Sequence, residues 1–256
     1  MLLPEPPSSR WDLRARLWGT EIRIRPIFWA SSVLFGIVFY RDPQFGGVSM
    51  FGTWLFTAVL SFLIHEAGHI LAARLLRVPM RIVLSGLGGH VHGLDDIKRW
   101  KRVLILLCGS PANLAFLGVL WGVTKMPLAP HWRASLAPVL MLLMWVNAFW
   151  ALLNVLPLWP FDGGRVAVEI GEALFGSRGR TAALLLSLAI SMTMSFTVAV
   201  WGFLVLGDRF DPRFIVHLLF LGVQLLYCYL LWLCAFRALW GSDAPLDELS
   251  RPGRAA

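Results

Sequence analysis

Charged residues are scarce in this sequence. They make up 15% of the 256 residues, while hydrophobic residues make up 57%. A soluble globular domain carries about 25% charged residues. The apolar residues form continuous runs rather than the alternating pattern of a transmembrane β-barrel. The composition therefore excludes a soluble globular domain and predicts a helical protein that crosses the lipid bilayer several times.

Cysteines are also few. The three cysteines, Cys108, Cys228 and Cys234, all fall in apolar runs, and none belongs to a C-x-x-C pair. This pattern excludes a disulfide framework and a cysteine-based zinc site. The first 25 residues lack an apolar core of signal-peptide length, so no cleavable signal is expected. We also find no internal repeat, which argues against a metal transporter or channel.

Six apolar runs are candidates for transmembrane helices. They cover residues 26–40, 51–76, 103–124, 135–156, 181–206 and 214–236. We therefore expect an all-α polytopic membrane protein with six transmembrane helices within residues 26–236. Residues 1–25 mix aromatic residues with arginine, which is typical of a segment on the cytoplasmic membrane surface. Residues 237–256 are predicted to form a short cytoplasmic tail.

The distribution of lysine and arginine predicts the orientation of the protein. With the N-terminus in the cytoplasm, 18 of the 23 basic residues fall on cytoplasmic segments. The positive-inside rule thus places both termini in the cytoplasm. It also explains the net charge of +8 without a nucleic-acid partner. Because the chain has a compact form, we expect it in the cell (inner) membrane of a prokaryote.

One cytoplasmic connection differs from an ordinary loop. Residues 78–94 contain β-branched residues, glycines and a weak alternation of apolar and polar residues. This pattern predicts a short membrane-associated β-hairpin after the second helix. His90 and His92 would share one face of a strand, and we expect this pair to face solvent or lipid headgroups.

The second apolar run contains the motif His65-Glu66-Ala67-Gly68-His69. Residues four apart on a helix project from one face, so the two imidazoles can bind one zinc ion. Glu66 lies beside them and can act as a general base toward a water on the metal. Ionisable residues are costly inside an apolar helix, so this cluster indicates a functional site.

A catalytic zinc site needs a third protein ligand, and Asp162 is the best candidate. Prolines and glycines around it would break the helix and let the chain turn back toward the histidines. These helix-breaking residues are Pro157, Pro160, Gly163 and Gly164. By itself, however, an aspartate before glycine is more typical of an ordinary turn, so the local pattern does not decide its role.

The two metal motifs together resemble those of the site-2 protease family of intramembrane metallopeptidases. The segment His65-Glu66-x-x-His69 resembles the zinc-binding helix of that family. The segment Asn154-x-x-Pro157, followed by Asp162-Gly163, resembles its second motif, with Phe161 in place of the usual leucine. The resemblance implies that Asp162 is the third zinc ligand and that the cofactor is Zn²⁺.

Two further segments are similar to the family. Gly88-Gly89 resembles the glycine pair of its membrane-associated β-segment. The stretch from Gly109 to Asn113 resembles its Gly-Pro-x-x-Asn segment, with the proline one position later. The resemblance indicates that Asn154 binds the substrate or orients the site. By analogy with β-strand addition, we expect the hairpin, with Gly88 and Gly89, to bind an unwound substrate strand by edge pairing.

The resemblance also implies the reaction. The family cuts a single-span substrate helix within the membrane, near its cytoplasmic side. The expected partners are therefore a transmembrane protein substrate and the lipid bilayer. The sequence names no substrate, and it leaves a regulatory membrane partner and the oligomeric state open.

Other interpretations compete with this one. In a zinc protease of the membrane gluzincin type, Glu169 or Glu172 would be the third ligand instead of Asp162. Alternatively, the protein could be a non-catalytic scaffold of the same fold that binds helices. Asn113 and Asn147, inside the third and fourth runs, are expected to form hydrogen bonds between helices.

Overall fold

The computed structural model describes residues 7–41, 47–86, 88–127 and 129–206. The predicted sixth span and the predicted tail therefore lie outside the described residues, as do Cys228 and Cys234. The described part contains four strands and seven helices. The strands are β1 (Leu13–Leu17), β2 (Thr20–Ile24), β3 (Arg81–Ser85) and β4 (Gly88–His92). The helices are α1 (Pro26–Arg41), α2 (Val48–Leu75), α3 (Arg99–Leu107), α4 (Gly109–Thr124), α5 (Pro130–Val155), α6 (Asp162–Phe175) and α7 (Ser177–Leu206).

Four helical stretches are long and apolar enough to cross a membrane. They are Val48–Leu75, Arg99–Thr124, Pro130–Val155 and Ser177–Thr197. Helix α1 is apolar but has 16 residues, fewer than the roughly 20 that a span usually needs. The predicted helical membrane class is thus confirmed, while the count of six transmembrane helices stays a prediction.

The predicted β-hairpin is present but belongs to a larger sheet. Strands β3 and β4 pair antiparallel, with Leu84 opposite Gly89. The N-terminal segment, expected on the membrane surface, folds into β1 and β2, and β2 pairs parallel with β3. The sheet order is β1-β2-β3-β4. Ile22 and Ile82 lie opposite each other and are both buried, and this apolar contact stabilises the pairing of β2 with β3.

The third predicted span is two helices rather than one. Helix α3 ends at Leu107, Cys108 forms the junction, and α4 begins at Gly109. Pro111 explains the break, because it has no N–H and its ring would clash with the carbonyl of residue 107 in a continuous helix. A proline in the first turn of α4 is tolerated. The break brings the start of α4 against α2.

Helix α2 lies at the centre of the described part. It packs against α1, α3, α4 and α5, and its C-terminal half also contacts β4. Gly68 allows α2 to approach the junction of α3 and α4 closely, since a Cβ there would overlap with the carbonyl oxygen of Cys108. Apolar residues from several elements form the core around α2, including Phe62, Ile70, Ile82 and Ile105. The polar residues of α2 are therefore held in a dense apolar surrounding.

Candidate metal centre

Helix α2 holds the two predicted histidines on one side. His65 and His69 are 3% and 1% exposed, and Glu66 between them is 1% exposed. The helical repeat places the imidazoles one above the other, and their ring centroids are 4.8 Å apart. Three ionisable side chains are thus removed from both water and lipid, a costly arrangement that needs partners.

Asp162 meets the histidines from the start of α6. Its Oδ2 is 2.9 Å from His65 Nε2 and 3.1 Å from His69 Nε2. The turn from α5 to α6 is tight, because a Cβ at Gly163 would overlap with Leu156 O and one at Gly164 with the backbone of Leu158. Glycine at both positions therefore lets α6 begin beside α2. The structure brings together all three predicted metal-binding residues.

Hydrogen bonds on the far side of each ring fix the imidazoles. His65 Nδ1 lies 2.8 Å from Asn113 Oδ1, and His69 Nδ1 lies 2.7 Å from Ile105 O. Both oxygens only accept, so each Nδ1 donates its proton. The Nε2 atoms, which face Asp162 Oδ2, are then the nitrogens available to a metal ion. Such an arrangement orients histidines that bind a metal.

The donor atoms fit a zinc ion. The two Nε2 atoms are 3.1 Å apart, and each lies within 3.1 Å of Asp162 Oδ2. Ligands of a tetrahedral zinc are about 3.3 Å apart at a bond length of ~2.0–2.1 Å, so shifts of a few tenths of an ångström suffice. Three lone pairs this close repel unless a proton or a cation lies among them. These residues could therefore hold a metal ion.

Asp162 remains a carboxylate in this environment. Burial raises the pKa of its carboxyl, but the neighbouring His69 and hydrogen bonding with His65 and His69 lower that pKa more. The net pKa of Asp162 therefore lies below its ordinary value. A ligand that stays charged at neutral pH is what a zinc ion requires.

Glu66 lies against strand β4. Its carboxylate lies against Gly89, where a Cβ would overlap with Glu66 Oε1. Within the described part of the chain, Glu66 Oε2 has no hydrogen-bond partner. A buried carboxylate oxygen without a partner is rare and is expected where a substrate or water molecule binds.

Comparisons with known proteins agree with this geometry. The model of peptidase family M50 matches residues 120–198, a stretch that includes Asn154 and Asp162. A protein of Synechocystis sp., provisionally named a zinc metalloprotease, is 27% identical over 174 residues. The matched part is 64% of this chain and 45% of that relative, so the chain spans less than half of the relative's length.

A solved structure extends the likeness to the whole fold. The site-2 protease from Methanocaldococcus jannaschii matches with a TM-score of 0.53 and 18% sequence identity. The match covers 96% of this chain and 98% of that chain. The predicted resemblance to the site-2 protease family is confirmed. The likeness shows that this chain has a site-2 protease-like fold.

The segment around Asn154, which resembles the second site-2 protease motif, contacts both ends of the turn before α6. Asn154 Nδ2 donates to Trp150 O at 3.0 Å, and Asn154 Oδ1 lies 3.5 Å from the backbone N of Asp162. Asn154 thus ties the end of α5 to the first residue of α6. This contact orients Asp162, and a role of Asn154 in binding the substrate stays a prediction.

Three contacts of the site were not predicted from the sequence. The Ile105 carbonyl holds His69, and Asn113 holds His65 in addition to its expected contact between helices. A Cβ at Gly109 would lie 2.5 Å from His65 Nε2 and 2.6 Å from His69 Nε2. The family-like Gly109-to-Asn113 segment is the signal in the sequence that pointed to this neighbourhood.

The histidines of β4 differ from the expectation of a solvent-facing or headgroup-facing pair. His92 is 4% exposed, and His90 is partly buried. Burial, the charge of Arg165 and the neighbouring His92 lower the pKa of His90 to about 4, so it is neutral at pH 7. The reason is tertiary, because Arg165 of α6 reaches β4 and donates a hydrogen bond to Val91 O.

The glutamates of α6 do not join the donor cluster. Glu169 accepts a hydrogen bond from Arg102 Nη1 at 2.7 Å and lies 3.4 Å from Arg99 Nε. It is therefore partly buried and paired with two arginines. Among the described residues, the clustered metal-binding side chains are those of His65, His69 and Asp162. This geometry favours the site-2 protease pattern over the gluzincin alternative.

Proposed function

We propose that this chain is an intramembrane zinc metalloprotease that hydrolyses peptide bonds within or near a transmembrane segment of membrane-protein substrates. The observation that carries the proposal is the meeting of His65, His69 and Asp162 beside the buried carboxylate of Glu66. The helix that holds the histidines is apolar enough to span a bilayer. A peptidase centre at this place acts on substrate that lies within the membrane.

Glu66 is proposed to move the proton. A zinc ion, when bound, supplies a Lewis acid that polarises the substrate carbonyl and lowers the pKa of a water molecule. Glu66 takes the proton of that water at Oε2, the oxygen that has no hydrogen-bond partner in the described part. It then returns the proton to the leaving amine nitrogen. The surrounding apolar core excludes bulk water from this exchange.

The edge of β4 is proposed to bind the substrate as an added strand. Leu84 O accepts a hydrogen bond from Arg25 N at 2.9 Å, so Leu84 turns its backbone groups toward β2. In an antiparallel pair the N–H and C=O of one residue point to the same side. Gly89, opposite Leu84, therefore turns its N–H and C=O away from β3. Within the described residues no strand covers that edge.

Gly88 and Gly89 contribute differently to this proposal. Gly88 alternates with Gly89 and turns its backbone groups toward β3, while a Cβ on Gly88 would lie 3.7 Å from Trp150. Gly89 offers its backbone to an incoming strand and also lies against Glu66. An unwound substrate strand paired at Gly89 would lie next to the general base.

The placement in the membrane is also proposed. The excess of lysine and arginine on one side supports a cell (inner) membrane protein with both termini in the cytoplasm. Residues 26–236 would then form a six-span protease domain whose site opens toward the cytoplasm. Its substrate would be a transmembrane protein that enters from the surrounding bilayer.

Zinc content and cleavage of purified protein test the proposal. We expect about one zinc per chain in the wild type and loss of zinc in His65→Ala and Asp162→Ala. Glu66→Gln should keep the zinc, because Glu66 is not among the clustered donors. It should lower the cleavage rate of a single-span peptide by about 10²–10⁴-fold, the usual contribution of a general base.

The outcomes separate the competing interpretations. A wild type without zinc, even after reconstitution with zinc, would overturn the protease and favour a non-catalytic helix-binding scaffold. Zinc that remains in Asp162→Ala but is lost in Glu169→Gln would favour the gluzincin alternative instead.

A further inference from the structure

The free edge of β4 is closed at one point by a side chain. Backbone groups along a strand alternate in direction, so Val91 turns its N–H and C=O to the same side as Gly89. Arg165 Nη2 donates a hydrogen bond to Val91 O at 3.1 Å. Arg165 belongs to α6 and not to the sheet, so the carbonyl that it reaches points away from β3. The contact therefore agrees with the direction of Val91 O inferred from Leu84.

Arg165 is held where it can block pairing. It lies three residues after Asp162 in the first turn of α6, which is fixed by the tight turn at Gly163 and Gly164. A strand added to β4 needs Val91 O as an acceptor if it pairs beyond Gly89. Because the guanidinium of Arg165 occupies that oxygen, a substrate strand that extends beyond Gly89 finds no free acceptor for its N–H.

We propose that Arg165 is a positioning residue that closes the β4 edge at Val91 and so restricts the substrate strand to one register at Gly89. This inference rests on the proposed function, since it assumes that substrate pairs with β4. Arg165 then decides which peptide bond of the substrate lies beside Glu66. It does so without contact with the reacting atoms.

The alternative register is shifted by two residues. A slip of one residue turns every side chain to the other face, whereas a slip of two keeps the faces and the pairing. There is space for such a slip, because a cavity of about 230 Å³ adjoins Val91 and Arg165. Its other walls include His90, Trp159 and Glu169. A strand released from the block could extend into this cavity.

The test compares two substitutions of Arg165 with a matched control. Arg165→Met keeps a long unbranched side chain but removes every hydrogen-bond donor. Arg165→Lys keeps a positively charged donor group. Arg102→Met is the control, because Arg102 lines the same cavity but binds Glu169 and the carbonyls of Asp95 and Ile97. The probe is a synthetic single-span peptide of about 20 apolar residues with a central Asn-Gly pair that weakens its helix.

Mass spectrometry of the products reads the register. We expect one main cleaved bond with the wild type, with Arg165→Lys and with Arg102→Met. With Arg165→Met, the product cut two residues away should rise about tenfold, since a hydrogen bond from a charged donor is lost. Zinc content should equal that of the wild type. An Arg165→Met protein that cuts the same single bond as the wild type overturns the inference.

A binding measurement covers the case in which Arg165→Met yields no product. The same peptide, with a photoreactive phenylalanine analogue, is cross-linked to Glu66→Gln and to the double variant Glu66→Gln, Arg165→Met. We expect cross-links near Gly89 in the first protein, and cross-links that extend past Val91 in the second. The same map in both proteins overturns the inference.

The two experiments distinguish failure of the inference from failure of the proposed function. A peptide that binds at β4 but is never cut by the wild type contradicts the protease and still tests the register. Zinc-dependent cleavage without any cross-link to β4 supports the protease and overturns the role of Arg165.

Discussion

Two adjacent glycines in β4 have different neighbours. A Cβ on Gly89 would overlap with the carboxylate of Glu66, whereas a Cβ on Gly88 would lie 3.7 Å from the ring of Trp150, an ordinary contact. The same added methyl group should therefore have opposite consequences at the two positions. Neither effect comes from backbone conformation, since both residues lie in a regular strand.

We expect Gly89→Ala to displace Glu66 and lower peptide cleavage by about 10²-fold or more, as for loss of a general base. Gly88→Ala should retain cleavage within a few-fold of the wild type. Both proteins should bind zinc normally, because His65, His69 and Asp162 are untouched. Measured kcat for the two variants, with zinc content as the control, tests this. Equal rates would show that the space at Gly89 has no role.

The role of Asp162 could not be decided from its local sequence. Its local sequence is more typical of an ordinary turn, and only the family resemblance favoured a metal ligand. The structure supplies the distances of 2.9 and 3.1 Å to the two histidines. The contact with His65 joins residues 97 positions apart, which no local pattern can predict.

The junction of α3 and α4 shapes the site at the scale of elements. Pro111 separates the two helices, and Gly109 at the start of α4 lies against both imidazoles. Asn113, one turn further along α4, holds His65. Its amide also donates to Ser61 O and to Asn147 Oδ1. The first turn of α4 thus links α2 and α5 and aligns the rings.

Replacement of Gly109 by alanine should disturb this alignment. A Cβ there would lie 2.5–2.6 Å from the histidine nitrogens, so the rings must move and zinc affinity should fall about tenfold or more, as for loss of ring orientation. Gly118→Ala on the same helix is the control, since nothing lies within 4 Å of a Cβ at that position. Competition with a fluorescent zinc chelator measures both affinities. A Gly109→Ala protein with wild-type affinity would contradict the packing argument.

The N-terminal strands show why elements were harder to predict than motifs. The turn between β1 and β2 contains Trp18 and Gly19, both with positive φ, but the short segment also reads as an amphipathic surface peptide. The parallel pairing of β2 with β3 makes this segment a strand rather than a surface helix or peptide. That partner lies about sixty residues away, so the strand becomes visible only in the folded sheet.

Basic residues predict which side of the membrane each connecting segment lies on. Eighteen of the 23 lysines and arginines fall on one side of the predicted spans. Lys98 and Lys125 flank the helical stretch Arg99–Thr124 and are both exposed. They are therefore suitable positions for measuring the orientation of the chain.

Thiol labelling of intact cells should report this orientation. In a background with Cys108, Cys228 and Cys234 replaced by alanine, a membrane-impermeant maleimide should label Lys125→Cys on intact cells. It should label Lys98→Cys only after lysis, because the positive-inside rule places that residue in the cytoplasm. The reverse pattern would contradict the proposed topology and place the metal-binding end of α2 on the outer side.

The helical membrane class and the predicted zinc-binding motif of α2 could be read from the residues alone. Both depend on local physics: apolar runs must lie in the bilayer, and residues four apart share a helix face. The fold determines which elements meet. It brought Asp162 to the histidines, β2 to β3, and Arg165 to Val91. These contacts depend on packing between distant segments, since a side chain's partner is set by the fold around it.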